Sequence, residues 1–123
     1  MKNVRFEIIG KIPSKKNLYH IGRGRFYPDK AVNEYTNNAY LQIKKQLGSW
    51  KVIKEPIALD ICFLMDDRGD IDNKLSTWFD LLQEIKIIEN DRQIRRVNMR
   101  REKTRPALSK TFVNLIELKE LEK

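Results

Sequence analysis

The stretch IALDICFLMDDRGDIDNKLSTWFDLLQEI, residues 57–85, changes its period once, and that change decides the fold. Ile57, Leu59, Ile61, Phe63 and Met65 recur at every second position. That is the repeat of a β-strand, whose alternate side chains share a face. Ala58, Cys62 and Leu64 between them are apolar as well, so the spacing predicts a central strand covered on both sides. Asp66 to Gly69 reads as a turn. Beyond it Leu75, Trp78, Phe79, Leu82 and Ile85, widened by Leu81, fall on one side of a helix.

On the N-terminal side, Val4, Phe6 and Ile8 alternate with Arg5 and Glu7, a half-buried strand closed by Gly10 and Pro13. Lys11 to Pro28 has no period and contains Gly22, Gly24 and two prolines. It reads as a long loop with a short hairpin around Gly22 to Arg25, and loops of this length in small domains are commonly functional. Asp29 is placed to cap a helix carrying Ala31, Tyr35, Ala39, Ile43 and Leu47, which Gly48 stops.

On the C-terminal side, Gln93 to Lys103 alternates weakly through Ile94, Val97 and Met99, and Lys110 to Leu118 alternates cleanly. The connection with Pro106 spans a hairpin-like distance. The order β-(loop)-α-β-α-β-β predicts an α+β fold. It is a single small domain over residues 1–123, with a mixed sheet of four or five strands covered by two main helices.

A chain of 123 residues supports one core. Its 41% hydrophobic content excludes a disordered chain. Cys62 is the sole cysteine and His20 the sole histidine, which excludes a disulfide framework, a Cys-rich zinc site and a Ser/His/Asp triad with near neighbours. No apolar run is long enough to span a membrane, and Lys2, Arg5 and Glu7 interrupt the N-terminus, so a soluble cytoplasmic protein is expected.

The formal charge of +8 is unevenly spread. Lys11, Lys15, Lys16, Arg23 and Arg25 occur with no acid between Lys11 and Tyr27. Arg92, Arg95, Arg96, Arg100, Arg101, Lys103 and Arg105 form a second block against Glu102 alone. The acids gather between the two. A basic surround with an acidic centre suits an enzyme that holds a phosphate backbone and presents a metal to it.

Asp70 and Asp72 are two apart, so an extended segment points both carboxylates one way. They stand where the central strand gives way to a helix, and Asp91 follows that helix. If the helix returns the chain to the same region, three carboxylates converge into a hard-oxygen site for Mg²⁺ or Mn²⁺. The plainer alternative makes Asp72 an N-cap backed by Asn73, and Asp70 a turn residue. A calcium loop starting at Asp70 is disfavoured by Lys74 at its fifth place and Leu81 at its twelfth.

The string Asp70-Ile71-Asp72-Asn73, the helix with Asp80 and Leu82, and Asn90-Asp91-Arg92-Gln93-Ile94 closely resemble the RusA family of Holliday junction resolvases. The loop Pro13-Ser14-Lys15-Lys16-Asn17-Leu18-Tyr19 is similar to that family's N-terminal motif. The resemblance implies a homodimeric crossover junction endodeoxyribonuclease, often of phage or prophage origin and acting in a bacterial or phage-infected cell. It would nick opposed strands of a four-way junction with Mg²⁺, or Mn²⁺ in its place, using Asp70, Asp72 and Asp91. No organic cofactor is expected. The family's lysine four residues after the second aspartate is Ser76 here. The first acid of its Asp-Asp pair is Asn90, and the arginine before its first aspartate is Gly69, with Arg68 one earlier.

Lys15, Lys16, Asn17, Tyr19, Arg23, Arg25, Arg68, Asn73 and Arg96 are the residues expected to meet DNA: bases on phosphates, aromatics on unpaired bases. Ser76 and Asp80 are expected to lie beside the carboxylates. Trp78 and Leu81 belong either to the core or to a dimer surface. Two other readings compete: a branched-DNA-binding protein with impaired catalysis, suggested by Ser76, and an RNA-binding protein whose aspartates only cap.

Overall fold

A computed structural model describes residues 3–13, 19–22, 25–28, 30–65 and 71–118, with 19–22 and 25–28 described by backbone alone. Strand β4 (Ile57–Met65) lies inside the main sheet, as its two apolar sides require. One neighbour is β5 (Ile94–Lys103), which runs parallel to it. The other is β6 (Lys110–Glu117), antiparallel, which in turn pairs antiparallel with β1 (Asn3–Ile9). The order is therefore β1-β6-β4-β5. Strands β2 (Tyr19–Gly22) and β3 (Arg25–Pro28) form a separate hairpin inside the long N-terminal loop. This is the expected α+β domain, with two helices and a four-stranded mixed sheet.

Helices α1 (Lys30–Leu47) and α2 (Ile71–Glu84) both supply side chains to one core. Tyr35, Ala39 and Ile43 enter from α1, and Trp78, Leu81 and Leu82 from α2. They meet Phe6 and Ile8 of β1, Val113 and Leu115 of β6, and the odd-numbered residues of β4. Trp78 is 0% exposed, with its ring centroid 6.0 Å from Phe6 and 6.2 Å from Tyr35, edge-on to the latter. Leu81 is 1% exposed. Both are core, so of the two alternatives the dimer surface is overturned for this pair: these side chains are spent inside the single chain. Burial pushes the Tyr35 hydroxyl up to about 12, so it adds no charge to this core at neutral pH.

The connection from β5 to β6 is not the hairpin that its length suggests. Thr104 N–H donates to Met65 C=O at 2.6 Å, and the chain passes through a short 3₁₀ turn at Pro106–Leu108 to the far side of β4. A β5–β6 hairpin would have left one side of β4 without a partner; the crossover gives it two.

The two edges of the sheet differ. On β1, Gln46 accepts from Glu7 N–H at 2.9 Å and donates to Glu7 C=O at 2.7 Å. Gln42 does the same for Ile9 at 2.8 and 3.0 Å. Two glutamines one helical turn apart on α1 thus stand in for a neighbouring strand. The double replacement Gln42→Ala, Gln46→Ala is expected to cost roughly 2 kcal/mol in urea denaturation, less than four full hydrogen bonds because water reaches the freed edge. An unchanged midpoint would show that the pairing contributes nothing net. The β5 edge has no such cover among the described residues: all ten of its residues are exposed or half-exposed, with Val97 at 42%. No helix of the described residues is long and apolar enough to cross a membrane.

Candidate active site

The C-terminal end of β4 leads through residues 66–70 to α2, so Asp70, Asp66, Asp67 and Arg68 lie outside the described residues. Asp72 is the second residue of α2, exposed in its first turn rather than capping it. An acid there is favoured by the positive end of the helix dipole. Asn73 is half-buried and its carbonyl accepts from the Thr77 hydroxyl at 3.0 Å. Ser76 is half-buried and Asp80 exposed.

Lys74 lies on the other side of the helix. It shares the face of Trp78 and Leu81 and is only 6% exposed. Long helical side chains lean back toward the helix start, and the Lys74 ammonium lies 3.5 Å from Ile12 C=O, where the chain leaves β1 for the basic loop. It lines a small gap with Gly10, Met65, Ser109 and Thr111. A buried lysine beside the acidic segment is a feature that the sequence reading did not anticipate.

Asp91 opens a 3₁₀ turn, Asp91–Gln93, directly before β5. Asn90 caps it, its side chain accepting from Arg92 N–H at 2.9 Å. Gln93 completes the capping box by accepting from Asn90 N–H and Glu89 N–H, both at 2.8 Å. The Gln93 amide also donates to the carbonyls of Ile53 at 2.7 Å and Glu55 at 3.0 Å. Gln93 therefore fixes the turn that presents the exposed Asp91. The signal was present as Asn90-x-x-Gln93, the spacing of a capping box.

These two carboxylates stand at opposite ends of the sheet. Because β5 is parallel to β4, its first residue, Ile94, lies beside Ile57, while Met65 lies beside Lys103. Asp72 follows the Met65 end and Asp91 precedes the Ile57 end. Along α2 alone, Asp72 to Glu84 spans about 18 Å. Among the described residues no group of three acids, histidines or cysteines comes together to hold a metal. Within one copy α2 therefore does not carry Asp91 back to Asp72, and Asp70 lies outside the described residues. A parallel crossover returns the chain to the start of the strand, not to its end.

The family profile described as Endodeoxyribonuclease RusA matches residues 10–115. The chain belongs to the RusA family. This places it among endodeoxyribonucleases, in a family that acts on branched DNA junctions and generally depends on divalent metal. No curated protein matches the chain significantly.

Of the residues expected to meet DNA in this RusA chain, Lys15, Lys16, Asn17, Arg23 and Arg68 lie outside the described residues. Tyr19 and Arg25 lie on the β2–β3 hairpin, Tyr19 opposite Pro28 and Arg25 opposite Gly22. The chain leaves β1 for that hairpin at the Met65 end of the sheet, the end from which α2 starts. Arg96 is exposed on β5 and pairs with Ala58, so it shares with Asn98 and Arg100 the sheet face turned away from the core.

Proposed function

We propose that this RusA-family protein resolves four-way DNA junctions by paired nicks, in recombination and repair. Asp70, Asp72 and Asp91 supply its carboxylates for Mg²⁺, with Mn²⁺ able to substitute. The observation that carries this reading is the family match over residues 10–115, which spans both aspartate strings. A divalent ion, when bound, lowers the pKa of a water and offsets charge developing on the scissile phosphate. The chain's own residues bind and orient: the basic loop and Arg68 hold phosphates, Asn73 stands at the carboxylate end, and Gln93 fixes Asp91. A homodimer supplies two equivalent sites for two equivalent strands. The setting proposed is the cytoplasm of a bacterial or phage-infected cell.

Incubation with a 5′-labelled four-way junction tests the function. Nicked duplex products are expected with Mg²⁺ and none with EDTA. A stable complex with intact junction under both conditions would favour the binding-only alternative, and equal affinity for junction and duplex would count against junction recognition altogether. Affinity is expected to fall steeply with salt, with a log–log slope of about 0.9 per phosphate neutralised. A salt-independent affinity would contradict phosphate-dominated binding.

Ser76 occupies the place of the family's lysine, and Lys74 points into the core instead. A cation at 76 would sit on the exposed side of α2 near Asp72. Ser76→Lys is therefore expected to raise single-turnover cleavage about tenfold, equivalent to about 1.4 kcal/mol on the barrier, with little change in junction affinity. An unchanged rate, together with a sharp loss in Lys74→Ala, would make the buried lysine the functional cation.

A further inference from the structure

Helix α1 stops at Gly48, whose N–H donates to Lys44 C=O at 2.8 Å and whose φ of 76° suits glycine alone. That turn folds the chain back beside the helix. The Trp50 ring comes to lie with its centroid 5.8 Å from that of Tyr40, edge-on, and 5.5 Å from the Lys44 ammonium. Next to it a groove of about 780 Å³ runs between this segment and the start of β1. Val4, Leu47, Trp50 and Ile53 give the groove its apolar walls, and the exposed Arg5 and Lys51 its cations.

The same segment is basic throughout. From Lys44 to Lys54 the sequence has four lysines and no acid, and all four are exposed. Lys44 and Lys45 lie in the last turn of α1, where the negative end of the helix dipole accounts for them. Lys51 and Lys54 lie beyond the helix, and no ion pair among the described residues engages either. A solvated lysine face needs no indole at its centre, whereas this one has a half-buried indole walling a groove between cations.

We propose that this groove holds an unpaired strand of DNA, a base lying against Trp50 and the neighbouring phosphates on Arg5, Lys51 and Lys54. Indoles stack on any base, and lysines and arginines meet the backbone without regard to sequence. A paired base is covered on both faces by its neighbours and cannot reach the ring. An acidic peptide would satisfy the lysines but leave the apolar walls unfilled. That the strand is DNA follows from the endodeoxyribonuclease family. The groove is also well placed, because the segment that walls it abuts the turn presenting Asp91: the Gln93 amide donates to Ile53 and Glu55 C=O. A strand seated there would run on toward Asp91. The binding stands without the nuclease reading; only this use of it rests on that reading.

The test is fluorescence anisotropy of a labelled oligothymidylate in EDTA, with a blunt duplex of equal length beside it. Trp50→Ala is expected to weaken binding of the single strand about tenfold. Lys51→Ala and Lys54→Ala should each weaken it several-fold and lower the log–log salt slope by about 0.7, the share of one phosphate on a single strand. Duplex affinity should change by less than twofold in all three. Trp50 also packs against the core, so Trp50→Phe, which keeps a ring, should retain most of the affinity and the wild-type melting temperature. Wild type should show quenching of its tryptophan fluorescence on binding, and Trp50 is the indole that a ligand can reach, since Trp78 is 0% exposed. A wild type that binds no oligothymidylate, lysine variants with unchanged affinity, or equal losses for single strand and duplex would each overturn the proposal. Displacement of the oligothymidylate by polyglutamate at equal charge concentration would overturn it too, in favour of an acidic peptide. Single-strand binding with the expected dependences, in a protein that cuts no junction with Mg²⁺, would keep the groove and remove the nuclease reading.

Discussion

Asp91→Asn is expected to lower single-turnover cleavage of a four-way junction by about 10³-fold, roughly 4 kcal/mol on the barrier, with junction affinity changed by no more than a few-fold. Asparagine keeps the volume of aspartate and a carbonyl acceptor but removes the charge that a hard divalent ion needs. The fold has little reason to respond. Asp91 is exposed, and the turn around it is held by Asn90 and Gln93 acting on backbone groups. Thermal melting of the variant should match wild type, so the lost rate reports chemistry alone. Asp72→Asn should match it in size, as the proposed role of both carboxylates in metal binding requires. An Asp91→Asn protein that cleaves at the normal rate would remove Asp91 from the proposed site.

Trp78→Ala is expected to cost about 3–5 kcal/mol, read as a shift of the urea midpoint at constant slope. The indole is 0% exposed and stands between Phe6 of the sheet and Tyr35 of α1, so its loss opens a void bordered by three elements. Domains of this size are stable by only about 5–15 kcal/mol, so the change would remove a large part of the total. Trp78→Phe should cost much less, since a ring still fills most of the space. A cost below about 1 kcal/mol for Trp78→Ala would mean that α2 is not anchored where the ring contacts place it.

The strands and helices were legible because their periods are clean. The alternation of β4, the heptad-like spacing of α2, and the glycine after Leu47 each have one physical reading. Less legible was which strands become neighbours. The short link through Pro106 looks like a hairpin in sequence, and only the demand of β4 for a partner on each side sends β6 across. That choice is long-range, and no local pattern encodes it. The same holds for the aspartates. Asp-x-Asp-Asn and Asn-Asp-x-x-Ile are conspicuous as strings, but their separation follows from β5 running parallel to β4. Lys74 shows a related limit: two positions along a helix put it about 200° from Ser76, but its burial against Ile12 depends on a contact distant in sequence.

The most direct measurement of the central claim is to map both strands of a plasmid-borne cruciform after one turnover with Mg²⁺. The account predicts two nicks at symmetry-related positions across the junction, introduced within the lifetime of a single complex and releasing linear product. Intact cruciform in a stable complex, or isolated nicks scattered along the duplex arms, would contradict it.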